Sequence, residues 1–415
     1  MNKEKGYDDK KLVLFANVFP YGQGETYLET EIEFYKLFKK VYIISLAIPR
    51  EDAAFKRRFG ENISVIPVYR ASKLRYLAGA IPALVDSNLY KEFVRLVKSK
   101  RFSINNLANM FIYFSRSRYE ACLIAKKLRG KVNNNTVFYS YRFDYQPYTA
   151  LLVKKMLGLR NKVVSRAHRY DLYENEKKHG YIPMREYLLN NLYAVYPCSD
   201  HGTEYLKTLF PQYKKKVSTR FLGTVDYGVS NKKNGGYFEI VSCSNIVPVK
   251  RIDLLVEALF QLNDYPIKWT HYGDGQLMSE IKKLSKSKLK IQYKFMGNVD
   301  NKKILQDYAD KHFDLFINVS SSEGLPVSIM EAISFGIPCI ATDVGGTKEI
   351  INDGVNGSLI NPDITSKQLS AEIRKYIEMD KKVYLLYREN ARKIWLERFN
   401  AENNYRKYTE ELSSL

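Results

Sequence analysis

Residues 313–319 form a largely apolar run of strand length that ends in Ser320-Ser321-Ser322-Glu323-Gly324-Leu325-Pro326, and an apolar, helix-competent stretch starts at once with Val327. Ser, Gly and Pro end a strand and tighten the backbone. Pro is also tolerated at a helix start, where its missing N–H would have had no acceptor. A strand, a tight loop and a helix N-terminus in so few residues confine the chain to folds that set parallel strands beside crossover helices. In open sheets of that kind ligands bind beyond the carboxyl ends of the strands. The unpaired N–H groups of a helix start favour anions, phosphate above all. Glu323 sits in the loop and Glu331 eight positions later, one to two turns into the helix at ~3.6 residues per turn. Two carboxylates beside an anion cradle would repel the phosphate itself. Their natural partners are sugar hydroxyls, and a nucleotide sugar offers both a diphosphate and two polyhydroxylated rings.

The same alternation runs through the whole chain. Strands are expected over 12–17, 41–46, 63–68, 137–141, 162–166 and 194–198, with an amphipathic helix over 25–39. A polar, glycine-containing stretch at 226–236 reads as a linker. The pattern then restarts, with strands over 237–242, 267–272, 291–296, 313–319 and 338–342 and helices beginning at Asp253, Gln276, Asn301 and Pro326. A chain of 415 residues is too long for one ordinary core. The expected class is α/β with two Rossmann-like domains, 1–230 and 237–395, and a helical segment over 396–415.

Charge narrows the choice of partners. The net charge is +21, and residues 73–131 carry thirteen Lys and Arg against only Asp86, Glu92 and Glu120. Aromatic and aliphatic residues are interleaved with these cations over 90–98 and 110–114, the composition of basic amphipathic helices that lie on anionic membranes. No nucleic-acid motif accompanies the charge. Four cysteines stand far apart, with no Cys-x-x-Cys, which fits a reducing cytosol and argues against structural zinc. Residues 1–11 are charged and show no signal peptide. The longest apolar stretch, 76–85, is well short of the ~20 residues that span a bilayer. A cytoplasmic protein, peripheral on the inner face of the plasma membrane, is expected.

The E-x7-E spacing with Gly-Leu-Pro after Glu323 and Ala332 after Glu331, followed by Gly336-Ile337-Pro338-Cys339-Ile340-Ala341-Thr342-Asp343-Val344-Gly345-Gly346, resembles the donor-site signature of retaining GT-B glycosyltransferases of the large family four, the group 1 type. The resemblance is strong over 237–362, moderate over 12–31 and 162–225, and weak in the basic segment. It implies the GT-B arrangement, with a donor/acceptor cleft between the two domains and a last helix crossing back to the first. It also implies that Glu323 holds the donor sugar and Glu331 the ribose, and that amides of Gly324, Leu325, Pro326, Val327 and Ser328 surround the diphosphate. Of these five, Pro326 brings only its place in the turn, having no N–H.

Lys250 and Arg251 open the first loop of the second half, where a cationic pair suits a diphosphate leaving group. The family's usual arginine five positions earlier is Asn245 here, and its usual glycine after the lysine is Arg251, so Arg251 is expected to supply the second charge. Gly22 and Gly24 resemble the family's N-terminal glycine loop. His168 resembles the histidine that reaches the transferred sugar, and is grouped with Glu323 and Lys250 as catalytic. Gly273-Asp274-Gly275 is read as mainly a structural turn. Tyr139 to Tyr141 and Ser199 to Gly202 are weaker acceptor-side or hinge candidates.

By resemblance, the activity is transfer of a sugar from a nucleotide-sugar donor, such as a UDP-sugar, to a hydroxyl of a glycan or lipid-linked acceptor. Anomeric configuration is retained, no metal is required (no Asp-x-Asp occurs), and the setting is bacterial capsule, O-antigen or exopolysaccharide biosynthesis. Two other readings stand beside it: a sugar-nucleotide epimerase on the same fold, and a non-catalytic polyanion binder supported only by the charge.

Overall fold

The structure is a computed structural model that describes residues 9–415 except 23–24, 26, 50–56, 58, 71–75, 77, 178 and 230–234, and except the side chain of Ala47. Gly24, Lys73, Arg75, most of the charged N-terminus and the middle of the expected linker therefore lie outside the described residues. The chain divides into two units, Met1–Arg220 with Tyr405–Leu415, and Phe221–Asn404. The division falls at Arg220/Phe221, upstream of the polar stretch read as a linker.

In the first unit six parallel strands are ordered β3-β2-β1-β4-β5-β6: β1 Lys11–Ala16, β2 Lys40–Ile48, β3 Ile63–Tyr69, β4 Thr136–Ser140, β5 Val163–Ala167 and β6 Ala194–Pro197. Such strands are covered on both faces, which is why they read as near-continuous apolar runs. Along β1, Val13 and Phe15 enter one core, whereas Leu12, Leu14 and Ala16 enter another on the opposite face. Tyr408 and Leu412 from the end of the chain complete that second core.

The second unit repeats the plan with order β12-β11-β10-β7-β8-β9: β7 Phe238–Cys243, β8 Ile267–Tyr272, β9 Gln292–Phe295, β10 Leu315–Asn318, β11 Cys339–Thr342 and β12 Gly357–Ile360. Both orders are the doubly wound arrangement, whose ligand crevice opens where the strand order reverses. That switch point lies between β1 and β4 in the first unit and between β7 and β10 in the second.

Three elements differ from the sequence expectation. The helix expected over 25–39 is a short α-helix, Tyr27–Glu31, followed by a 3-10 stretch, Ile32–Leu37. The 3-10 stretch ends at Leu37, and β2 begins at Lys40. β12 is a four-residue strand interrupted by Ser358, too short to stand out as an apolar run. The helical segment expected over 396–415 straddles a break between two helices, Lys381–Arg398 and Ala401–Ser414, where Thr224 inserts. Its N–H donates to the Phe399 carbonyl at 2.9 Å, and its own carbonyl accepts from Ala401 N at 3.0 Å.

Candidate functional site

The switch point of the second unit collects the residues singled out above. β10 ends at Asn318, whose Oδ1 accepts the Ser320 N–H at 3.0 Å. Thr342 Oγ1 donates to the Ser320 carbonyl at 2.5 Å, and Ser321 N donates to the Val249 carbonyl at 2.8 Å. Loops after β7, β10 and β11 are thereby tied together beneath Glu323. Gly345 is left-handed at φ +56, and a Cβ there would lie 2.1 Å from the Glu323 carbonyl oxygen. Gly346 N donates to Gly324 O at 2.6 Å. Only a glycine pair lets the 345–346 backbone close on the loop this tightly.

Lys250 Nζ lies 2.5 Å from Glu323 Oε1, and Asn318 Nδ2 donates to the same oxygen at 3.3 Å. Both partners are mostly shielded. The helix Val327–Ser334 starts next, and its first-turn amides at Val327 and Ser328 have no preceding turn to bond. Lys250 and the helix start are thus brought to one carboxyl edge with Glu323.

Glu331 lies within that helix and is buried. Asn301 Nδ2 donates to its Oε1 at 2.9 Å. Burial pushes its carboxyl up to about 7, and the Asn301 bond only partly offsets this. The nearby Cys243 thiol is pushed up to about 12, first by burial and then by the Glu331 charge. Asn301 was not foreseen as a site residue, because thirty positions separate it from Glu331 and no motif joins them.

Arg251, expected to supply the second charge, follows Lys250 at the same loop. It sits in the left-handed region at φ 48, where the family pattern has glycine. Its Nε donates to the Val319 carbonyl at 2.7 Å and its Nη1 to the Pro362 carbonyl at 2.5 Å. Nη2 is buried without a hydrogen-bond partner. The side chain thus ties the loops after β10 and β12 together while keeping its positive charge.

A buried relay supports the loop after β7. Trp269 Nε1 donates to Ser242 Oγ at 2.9 Å, and Ser242 Oγ lies 2.8 Å from His271 Nδ1. His271 Nε2 lies 3.2 Å from the Ser244 carbonyl. Burial lowers the His271 pKa to about 4, so the ring is neutral and carries its proton on Nε2. Gly273 and Gly275 keep the adjoining turn close: a Cβ on either would strike the carbonyls of Ser244 (1.9 Å) and Ile246 (2.4 Å).

In the first unit, Gly22 is left-handed at φ 58. Glu25 turns its carboxylate back onto the amides of Asn17, Val18 and Phe19 at 3.0–3.1 Å, and Arg142 Nε reaches it at 3.2 Å from beyond β4. That pair bridges the switch point, and neither residue was foreseen. His168 directly follows β5; its ring packs 4.6 Å from that of Tyr141, and Nδ1 lies 3.8 Å from Asp171 Oδ2. Among the described residues neither ring nitrogen makes a hydrogen bond within normal distance. Tyr139 is a core residue instead of an acceptor contact: its hydroxyl donates to Glu31 and accepts from Arg166, each at 3.0 Å.

A hollow of about 580 Å³, lined by Glu239, Lys268, Gln292 and His312 among others, lies at the amino ends of β7–β9, the edge opposite the loops just described. Among the described residues no cluster of three His, Cys, Asp or Glu side chains is placed to hold a metal ion. No helix among them is long and apolar enough to cross a membrane.

Residues 203–394, which include this whole edge, match the family described as glycosyl transferases group 1. The UDP-N-acetylglucosamine–peptide N-acetylglucosaminyltransferase GtfA subunit of Streptococcus agalactiae is 30% identical over 187 residues, 41% of this chain and 35% of that one. The chain thus spans about a third of that relative's length. The N-acetyl-alpha-D-glucosaminyl L-malate synthase of Bacillus anthracis is 25% identical over 319 residues, 72% of this chain and 80% of the relative. Among solved structures, Anabaena Alr3699/HepE in complex with UDP and glucose superposes with a TM-score of 0.63 at 17% identity, covering 97% of this chain and 100% of the other. The fold is GT-B.

Proposed function

We propose that the protein transfers a sugar from a nucleotide-sugar donor to a hydroxyl of a glycan or lipid-linked glycan, with retention of anomeric configuration and without a metal ion. The observation that carries this reading is the Lys250–Glu323 pair set beside the start of the helix Val327–Ser334 at the switch point. One cation, a row of amides and a carboxylate there suit a diphosphate joined to a sugar. A UDP-sugar donor is favoured because UDP appears with the streptococcal relative and the Anabaena structure.

In the proposed reaction Glu323 accepts hydrogen bonds from the donor sugar and Glu331 from the ribose. The amides of the 324–328 turn and Lys250 hold the diphosphate, Lys250 exchanging Glu323 for it as negative charge grows on the leaving group. Arg251, fixed by the carbonyls of Val319 and Pro362, supplies the second positive charge beside Lys250. Gly22 and Gly24 allow close backbone approach in the first unit, and His168 contacts the sugar. The acceptor oxygen attacks the anomeric carbon on the face the diphosphate leaves, through an oxocarbenium-like state. The carbon–oxygen bond to phosphate breaks, and the departing phosphate oxygen takes the acceptor's proton. The products are a glycoside and a nucleoside diphosphate. The setting we infer is cell-surface polysaccharide biosynthesis at the inner face of the plasma membrane, reached through the basic segment 73–131.

The test is incubation of the purified protein, with and without chelator, with a panel of nucleotide sugars and a membrane lipid extract. Release of nucleoside diphosphate that depends on the extract, resists the chelator and yields a product with the donor's anomeric configuration is expected. Interconversion of the free donor would instead reveal an epimerase. Failure to bind any nucleotide sugar, together with steeply salt-dependent binding of duplex DNA, would leave only the polyanion binder.

A further inference from the structure

The helix Ser87–Lys98 is held to the first unit by Leu89, Glu92 and Leu96, all buried. Glu92 accepts the Tyr181 hydroxyl at 2.7 Å and the Met184 amide at 3.0 Å, which fixes the helix rotation. Its outward side is therefore set, and it is apolar: Tyr90, Val94 and Val97 recur at helical spacing and are exposed. Phe102 continues this side, its ring 6.1 Å from that of Phe93 at 90°. Ile104, 82% exposed, and Ile112 are likewise exposed on the next helix, Ile104–Leu128. Exposed apolar side chains clustered on two successive helices mark an interaction site.

The cations around it fall into two groups. Arg95 pairs with Glu92 at 3.2 Å, Arg116 with Glu120 at 2.9 Å, Arg118 with Asp86 at 2.5 Å, and Arg101 with Glu174. Lys91, Lys98 and Lys100 are exposed and take part in no ion pair among the described residues. The arginines are thus largely neutralised within the unit, and the charge left outward is a rim of lysines around apolar side chains. A second copy of this face would set the same lysines against one another, whereas an anionic lipid surface complements both parts.

We propose that this face inserts Tyr90, Val94, Val97, Phe102, Ile104 and Ile112 into the headgroup boundary of an anionic bilayer, with Lys91, Lys98 and Lys100 on the phosphates. The proposal rests on the reading that the protein works at a membrane and replaces simple charge attraction with apolar insertion as the main hold.

The test is flotation of the full chain with vesicles of neutral phosphatidylcholine alone or with anionic phosphatidylglycerol, at low and high salt. The wild type is expected on anionic vesicles at both salt concentrations. A Val94→Asn, Val97→Asn, Ile104→Asn variant should bind them tenfold or more weakly, with its melting temperature unchanged because the replaced side chains are exposed. A Lys91→Ala, Lys98→Ala, Lys100→Ala variant should lose binding mainly at low salt. Retained binding in the Asn variant with loss in the Ala variant would overturn insertion while leaving charge attraction. No binding by the wild type would overturn the membrane reading as well. A wild-type dimer that the Asn variant converts to monomer would assign the face to a second copy.

Discussion

Glu331 gives a pH dependence whose size follows from its surroundings. Its carboxyl is raised from an ordinary value of 4.5 to about 7 by burial, against the Asn301 bond. The folded protein therefore holds this proton more tightly than the unfolded chain does. Below about pH 4.5 both states are protonated and the group adds no penalty. Between about pH 4.5 and 7 the unfolded chain ionises this group while the folded one keeps its proton, so stability falls across that window and levels off above it, where the folded state carries a buried carboxylate. Each tenfold change in proton affinity is worth about 1.4 kcal/mol, so the full penalty is about 3 kcal/mol. Glu331→Gln keeps an acceptor for Asn301 and removes the titration. Urea unfolding of both proteins at steps from pH 4 to pH 8 should show the variant gaining about 3 kcal/mol on the wild type across that range, nearly all of it by about pH 7. If Glu331 holds ribose hydroxyls as a carboxylate, the wild-type donor KM should also rise below pH 7. A stability difference that stays flat with pH would mean that water reaches the carboxyl and that the burial argument is wrong.

Glu323→Ala and Lys250→Ala should each abolish nucleoside diphosphate release with little change in melting temperature; full turnover in either would remove that residue from the site. Arg251→Ala should cost about 2–4 kcal/mol from the two lost bonds to carbonyls, and Arg251→Gly about 1 kcal/mol less because glycine relieves the left-handed backbone. Equal unfolding midpoints for the two variants would refute the strain at this position. Gly345→Ala should destabilise by about 2 kcal/mol or more and weaken donor binding in calorimetry, since its Cβ meets the Glu323 carbonyl.

Much of the fold was legible because parallel strands buried on both faces appear as apolar runs; β8 was read to the residue, Ile267–Tyr272. β12 was missed because four residues containing a serine carry too little signal. At the site, motif spacing marks Glu323, Glu331 and Lys250, but contacts between distant loops leave no local trace. Arg251 reaches Pro362 across 111 positions, and Asn301 reaches Glu331 across thirty. Glu25 was hidden for a different reason: its partners are backbone amides, which every residue but proline possesses, and its role depends on a φ of 55. The break in the tail was equally unreadable, since its cause lies at Thr224.

Residues 405–415 finish the first unit although they are synthesised after all of the second. Until they emerge, Arg166 lacks the Tyr408 ring that lies 4.4 Å from its guanidinium, and Arg220 lacks the Glu411 carboxylate 2.6 Å away. On the ribosome the earliest part of this chain must wait, its core still open, until its last residues arrive to seal it.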